Sequence, residues 1–554
     1  MPTLNWIGKE AVINHHRQVP YHLLRCDNSL SVGEPDSGNL LVEGDNLLAL
    51  KALLPYYAGQ VKCIYIDPPY NTGNEKWIYN DNVNSSEMRK WLGKVVGGEL
   101  EDLSRHDKWL CMMYPRLVLL KDFLREDGVI FISIDDNEVH NLRAILQEVD
   151  GLSFAGTIVW ERKRKGSHLS RKLTKKTEYI IICSKQSRDV ELVGEPVGPD
   201  EDFPLIKRTN SVKTLRIPAD KLGATKLKEG TYAAGRYGRG NTAVELVEPV
   251  QVKDGKFLTS VILRGRSIWT QENLDAELEA GGKCFLRTKN FSLRAIKAAE
   301  NQGYKGLSSL LTKEYGTNED ASTELAAIFD TEVNAVFQYS KPTKLVQTLI
   351  WAATFDMKDA MVLDSFAGSG TTGQAVLNLN KSDGGNRRFI LVEMEQEVCR
   401  DITAKRLRRV IEGYEKTNGE RAEKIEGLGG GFRYCSLDKP LFDETGKIGE
   451  TVKFADLAAH VFFTETGMPI PKRTNGTSPF LGSAKGTGYY LLFNGILGDK
   501  TPDGGNVLTG KVLADLPKHK GPKVIFGEGC RLGDAKLRRE GITFKQLPYE
   551  IKVS

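Results

Sequence analysis

The tetrad Asp67-Pro68-Pro69-Tyr70 constrains this chain more than any other feature. It ends an apolar run, Val61-Lys62-Cys63-Ile64-Tyr65-Ile66, that reads as a buried strand of a parallel sheet. Open α/β sheets bind ligands beyond the carboxyl ends of their strands. At this end stand a carboxylate, two rigid prolines and an aromatic ring. Each proline fixes φ and lacks a backbone N–H, so the turn can present carbonyls. Asp67 can accept from an amine and Tyr70 can stack on a flat ring, a set that suits the exocyclic amino group of a nucleobase. A plain proline turn capped by Asp would show the same four residues.

A second motif narrows the choice. Far downstream, Met361-Val362-Leu363-Asp364 is another short buried strand. It runs into Ser365-Phe366-Ala367-Gly368-Ser369-Gly370-Thr371-Thr372 and then a helical stretch over Gly373–Leu379. Gly368 and Gly370 allow close backbone approach to a ligand, and the helix N-terminus supplies unpaired N–H groups. A phosphate-binding P-loop does not fit, because no Gly-Lys in the chain is followed by Ser or Thr. The glycine spacing is also too short for a dinucleotide fingerprint. The next strand, Arg388–Glu393, ends in an acid about 20 residues after the turn, where nucleotide-binding sheets hold ribose hydroxyls. Glu393 is therefore a candidate ribose ligand.

Together, Asp-Pro-Pro-Tyr and Phe-Ala-Gly-Ser-Gly resemble the S-adenosylmethionine-dependent amino-methyltransferases of DNA. The catalytic motif precedes the cofactor motif, as in their permuted beta class. Leu41–Leu50 is similar to the strand–helix element whose acid, here Asp45, lies near the cofactor adenine. Ser340-Lys341-Pro342-Thr343-Lys344-Leu345 resembles the motif that opens the cofactor pocket. Asn71-Thr72-Gly73, Gly128–Asp135 with Asn137-Glu138, and Glu178–Lys185 also fit. Asn5–Lys9 and Gly429–Tyr434 are akin to segments of the modification (Mod) subunits of type III restriction–modification systems. The resemblance implies an α/β fold: a Rossmann-like methyltransferase sheet built from two halves of the sequence, an inserted target recognition domain, and a C-terminal α+β domain. It implies catalytic roles for Asp67, Pro68, Pro69 and Tyr70. It implies cofactor contacts by Asp45, Lys341, Asp364, Phe366, Ala367, Gly368, Ser369, Gly370, Thr371, Thr372 and Glu393.

The implied reaction is methyl transfer to N6 of adenine in a specific duplex sequence after base flipping. Asp rather than Ser at the head of the tetrad leans toward adenine over N4 of cytosine. A recognition subunit that mainly guides a nuclease–translocase partner is the other reading. Implied partners are double-stranded DNA, a second copy of the chain and a restriction subunit. No metal is expected.

Composition agrees. The chain has 554 residues, 40% hydrophobic, enough for several cores. A net charge of +5 is small for this size, so any basic surface for DNA must be local. Eight scattered cysteines, with no Cys-x-x-Cys, suggest free thiols in a reducing cytoplasm. No signal peptide and no membrane span are expected.

Four blocks follow along the chain. Residues 1–188 alternate strands (Leu40–Glu43, Lys62–Asp67, Gly128–Asp135, Tyr179–Ser184) with helices (Asn46–Tyr57, Arg105–Leu124, Asn137–Val149). Residues 189–325 have short strands such as Lys256–Leu263 and Gly-rich turns, the expected target recognition domain. Residues 326–425 resume the α/β pattern as the cofactor-binding half, with a helix over Pro342–Thr354. They close on a long charged helix, Glu395–Tyr414, whose Arg406, Arg408 and Arg409 read as a solvated face. The triple glycine Gly429–Gly431 reads as a linker to a tail, 426–554, for dimerisation or partner contact.

One basic run stands apart. Glu161–Lys176 carries Arg162, Lys163, Arg164, Lys165, Arg171, Lys172, Lys175 and Lys176 against a single acid. Solvated faces usually mix signs, so phosphate contact is the preferred reading, with Arg162 to Lys165, Arg171 and Lys172 as candidate DNA ligands.

Overall fold

The computed structural model describes residues 4–547 except 34–36, 73–103, 166–172, 186–189, 198–200, 299–300, 302, 419–420, 444, 472–477, 496–499 and 502–504. Arg171 and Lys172 lie outside the described residues. The chain divides into two compact units, Met1–Leu192 with Ser308–Ser554, and Val193–Leu307.

The first unit is organised by a ten-stranded sheet. In chain order its strands are β1 (His22–Val32), β2 (Leu40–Glu43), β3 (Val61–Ile66), β4 (Leu124–Ile134), β5 (Leu152–Glu161), β6 (Thr177–Lys185), β7 (Leu310–Leu311), β8 (Met361–Asp364), β9 (Arg388–Glu393) and β10 (Phe432–Pro440). Their spatial order is β1-β10-β2-β9-β8-β3-β4-β6-β5-β7. The run from β10 to β4 is parallel, and β1 and β6 pair antiparallel at its two sides. The two sequence halves meet where β8 pairs with β3, Leu363 opposite Ile64. Every residue of β3 and of β8 is buried, as expected of strands covered on both faces.

The helices that position the site are α1 (Asn46–Tyr57), α2 (Arg105–Phe123), α3 (Val139–Glu148), α4 (Asn318–Phe329), α5 (Thr343–Thr354), α6 (Thr371–Asp383) and α7 (Lys405–Glu412). Three of the starts have a side-chain cap. Asp45 caps α1 by accepting from the N–H groups of Leu47 and Leu48, while Ser104 with Asp107 and Thr317 with Asp320 form capping boxes on α2 and α4. The apolar stripe of α2, including Leu110, Met113, Leu117 and Leu120, is fully packed into the core around β3 and β4. Among the described residues no helix is long and apolar enough to cross a membrane.

The second unit is narrower than the expected 189–325. Residues 308–325 return to the large unit, where β7 pairs with β5 and α4 begins. Within the second unit, Lys256–Leu263 is not one strand. Lys256–Phe257 closes a hairpin with Val250–Lys253 through Asp254 and Gly255, both at positive φ, and Val261–Arg266 joins another sheet. The unit has its own core, with Phe291, Leu205 and Leu263 among its buried residues.

Three further expectations are corrected. Gly429–Gly431 is not an interdomain linker: β10 begins at Phe432 and pairs with β2 inside the large sheet. A Cβ on Gly430 would stand 3.3 Å from Leu377. The tail beyond β10 packs on the same unit through a core that joins Tyr21 and Leu23 to Leu457, Phe462 and Phe526. Glu395–Tyr414 is not one helix. A wide π-helical stretch, Val398–Ala404, feeds α7, and Gly413 at positive φ turns the chain into strand Gly413–Asn418. The eight thiols are not all free, because Cys26 and Cys435 face each other across β1 and β10 as a disulfide.

Candidate active site

Three adjacent parallel strands, β9, β8 and β3, end in acids: Glu393, Asp364 and, one residue past the strand, Asp67. A cavity of about 340 Å³ opens beyond them. It is lined by Asp67, Pro68, Pro69 and Tyr70, by Asp364 to Ser369 with Thr371 and Thr372, by Glu393, and by Phe337 to Lys341. The volume lies in the usual range for small-molecule sites. Tetrad and glycine turn, remote in sequence, therefore share one cavity.

The tetrad is held from several sides. The Trp109 indole donates to the Pro69 carbonyl at 2.7 Å. The Tyr70 hydroxyl donates to Glu178 Oε2 at 3.1 Å. Asn71, buried and at φ 57, donates from its amide to the Arg105 carbonyl and to Glu138. A left-handed non-glycine residue stores strain and persists only where its surroundings enforce it. The buried carboxylate of Glu138 supplies that enforcement.

Lys341, expected at the cofactor, lines the same cavity and reaches the tetrad. Its ammonium donates to both oxygens of Asp67, at 2.8 and 2.6 Å, and stands 3.7 Å from Glu178. It also sits 4.9 Å above the Tyr70 ring centre. Arg162, expected on phosphate, instead lines the cavity and pairs with Glu178 at 2.8 Å. Burial pushes the Glu178 carboxyl up from its ordinary value, against the pull of Lys341 and Arg162. In the sequence Glu178 stands out only as part of a strand motif. A lone acid near the start of a strand gives no sign that two cations will converge on it.

The glycine turn is built as the sequence suggested, with additions. Asp364 accepts from the Phe366 N–H at 2.9 Å and from the Thr372 hydroxyl. Glu393 accepts from the N–H groups of Gly368 at 2.7 Å and Glu395 at 3.0 Å. Burial raises both carboxyls to about 7. Gly368 (φ 50) and Gly370 (φ 82) adopt left-handed backbone. A Cβ on Gly368 would approach the Phe337 ring to 3.4 Å, and one on Gly370 would approach Thr403 to 3.1 Å. Gly370 caps α6 and does not line the cavity.

Arg406, expected in solvent, is fully buried beneath this turn. It donates to the Ser369 and Thr371 hydroxyls, the Thr343 hydroxyl and the Gln374 side-chain carbonyl, at 2.8 to 3.0 Å, and lies 3.7 Å from Glu324. Asp45, expected beside a cofactor, spends its side chain on the α1 cap and on Arg116 at 3.3 Å. The neighbouring Asn46 lines the cavity instead.

The remaining candidates sit beside the site. Arg164 pairs with Asp320 at 2.6 Å and is exposed, as is Lys165, while Lys163 is half-buried. At the cavity wall the Ser365 hydroxyl and Arg162 Nε are buried and without a hydrogen-bond partner among the described residues. Unpaired buried polar atoms, two carboxylates and a glycine turn fit a ligand with hydroxyl and amine groups.

The model of the N6/N4 DNA methylase family matches residues 61–405, from the first residue of β3 to the first of α7. The Mod subunit of the type III restriction–modification enzyme EcoPI of Escherichia phage P1 is 30% identical over 474 residues, 76% of this chain and 70% of that protein. The StyLTI Mod subunit of Salmonella typhimurium is 32% identical over 418 residues, 73% of this chain and 60% of that protein. The type II methyltransferase M.KpnI of Klebsiella pneumoniae is 30% identical over 404 residues, 69% of this chain and 90% of that protein. With the tetrad and the glycine turn facing one cavity inside the matched segment, the chain belongs to the N6/N4 DNA methylase family.

Proposed function

We propose that this protein methylates the N6 amino group of adenine within a specific duplex DNA sequence, using S-adenosylmethionine. One observation carries the reading: the Asp67 carboxylate and Tyr70 ring share a cavity with the Gly368 turn and Glu393. The cofactor, when bound, supplies a methyl group on an electrophilic sulfonium sulfur. Phe366, Ala367, Gly368, Ser369, Thr371 and Thr372, with Asp364 and Glu393, are the residues that would hold it.

The amine of a paired adenine is out of reach inside the stack, so the base must be extruded, which costs a few kcal/mol. Tyr70 offers the stacking face that recovers part of this cost. Asp67 and the Pro68 carbonyl accept from the two amine hydrogens, which turns the nitrogen lone pair toward the methyl group. The Pro69 carbonyl is already taken by Trp109. Positioning and fixed dipoles do most of the work, with Asp67 as the route for the departing proton.

The unit Val193–Leu307 is assigned target recognition, and the tail after β10 contact with a second copy or a restriction subunit, as suits a cytoplasmic modification enzyme of the type III class. The relation to the type II methyltransferase M.KpnI over nearly its full length favours a second reading, a modification enzyme of the type II class. Labelled methyl transfer to duplex DNA, followed by nucleoside analysis, tests the reaction. N6-methyladenine supports the proposal. N4-methylcytosine alone, or no label in DNA, contradicts it.

A further inference from the structure

The Lys341 ammonium occupies both features the reaction reserves for the target base. It donates to both oxygens of Asp67, at 2.8 and 2.6 Å, and it lies 4.9 Å over the Tyr70 ring. An exocyclic amine presents N–H donors to the same carboxylate, and its ring needs the same face. The ammonium and the amine therefore compete for the carboxylate and for the ring face. The Lys341 and Asp67 side chains are 7% and 23% exposed, so water does not screen the pair well.

A second acceptor is already in place. Glu178 Oε2 stands 3.7 Å from the same ammonium, and Arg162 holds the other oxygen at 2.8 Å. A small swing about the end of the lysine stem moves Nζ from Asp67 to Glu178 without exposing the charge. Glu178 also fixes the Tyr70 hydroxyl, so the ring keeps its place during the exchange.

We propose that Lys341 is a placeholder for the target amine: it fills the amine subsite on Asp67 in the empty enzyme and passes to Glu178 when a base enters. Base entry is then a displacement of one nitrogen donor by another rather than the filling of a vacant carboxylate. This selects for bases that bring their own N–H donors, since a base without them leaves Asp67 and Lys341 still paired and in its way. The inference rests on the proposed reaction and adds a residue to it.

The test is a thermodynamic cycle on the full chain. DNA dissociation constants are measured for duplexes with adenine or an abasic site at the target position, using the wild-type protein and Lys341→Met. The abasic duplex has no base to displace Lys341. Any general loss from removing a positive charge affects both duplexes and cancels in the ratio. The expected result is a fall of about tenfold in the adenine-to-abasic ratio of Kd for the variant, in the range of couplings between touching groups, with cofactor affinity unchanged. Lys341→Gln repeats the cycle if the methionine variant does not fold. An unchanged ratio, a raised ratio or lost cofactor affinity overturns the placeholder role and assigns Lys341 to structure, base contact or cofactor. Failure of the wild-type protein to methylate the adenine duplex would instead overturn the underlying reaction.

Discussion

Arg406 Nη1 lies 2.9 Å from the Ser369 hydroxyl, and this joins the start of α7 to the middle of the glycine turn. The same nitrogen holds Thr371 at 2.9 Å, and Nη2 holds Thr343 at the start of α5. One buried guanidinium thus ties together the turn, α6 and the segment that delivers Lys341. Its four side-chain partners, Ser369, Thr371, Thr343 and Gln374, would each lose a bond worth about 1 kcal/mol, or roughly 4 kcal/mol together. Arg406→Met is expected to lose stability of that order in urea unfolding and to weaken cofactor binding at least tenfold by calorimetry. A variant with wild-type values for both would remove Arg406 from this role.

The two turn carboxyls give a pH signature. Asp364 and Glu393 both stand at about 7 because they are buried. In the unfolded chain such groups ionise near pH 4. Between these values the folded state binds more protons, so the stability from this pair is full below about pH 4 and is lost as pH rises through about 7. Asp364→Asn removes one of the two contributions. In urea titrations of the cofactor-free protein, the loss of stability between about pH 5.5 and 7.5 should be smaller in the variant than in the wild type. Equal losses would mean that Asp364 is not protonated in the folded state at the lower pH.

Tyr70 separates stacking from hydrogen bonding. Tyr70→Phe keeps the ring and removes the bond to Glu178, and a single such bond is worth about 1 kcal/mol, or several-fold in rate. Tyr70→Ala removes the stacking face and should cost roughly a hundredfold in kcat/KM. Steady-state methylation of one duplex by both variants checks the order. Equal losses would mean that the ring is not a stacking platform.

Much of this site is legible in the sequence, for identifiable reasons. β3 is an apolar run broken only by Lys62 and β8 one that ends in Asp364, and both begin and end within a residue of the expected bounds. Asp67 just past β3 and Asp364 at the end of β8 both line the cavity. The Lys341–Asp67 pair was not legible, because its members are 274 positions apart and only the folded sheet brings them together. Arg406 sits in a run of basic residues that looks solvated, and the π-helical stretch before α7 decides which of them turns inward. The place of β10 in the large sheet is not legible because the glycines before it look like a linker, yet Gly430 among them packs close to Leu377.

The basic run splits in two. Of its first four members, Arg162 faces the cavity and Arg164 pairs with Asp320, which leaves Lys163 and Lys165 as the phosphate candidates among them. Each phosphate contact contributes about 0.9 to the slope of log K against log salt. Replacing both lysines by alanine should weaken binding to every sequence alike and flatten that slope by roughly 2. An unchanged slope would exclude these side chains from the DNA backbone.

A cavity that methylates adenine at Asp67 leaves its product in the DNA of any cell that makes this chain. The most direct measurement is single-molecule sequencing of DNA from cells that express this chain, beside cells that express Asp67→Ala. The account predicts N6-methyladenine at one recurring sequence motif, absent in the variant. DNA free of modified adenine in both, while the purified protein still binds S-adenosylmethionine, would contradict it.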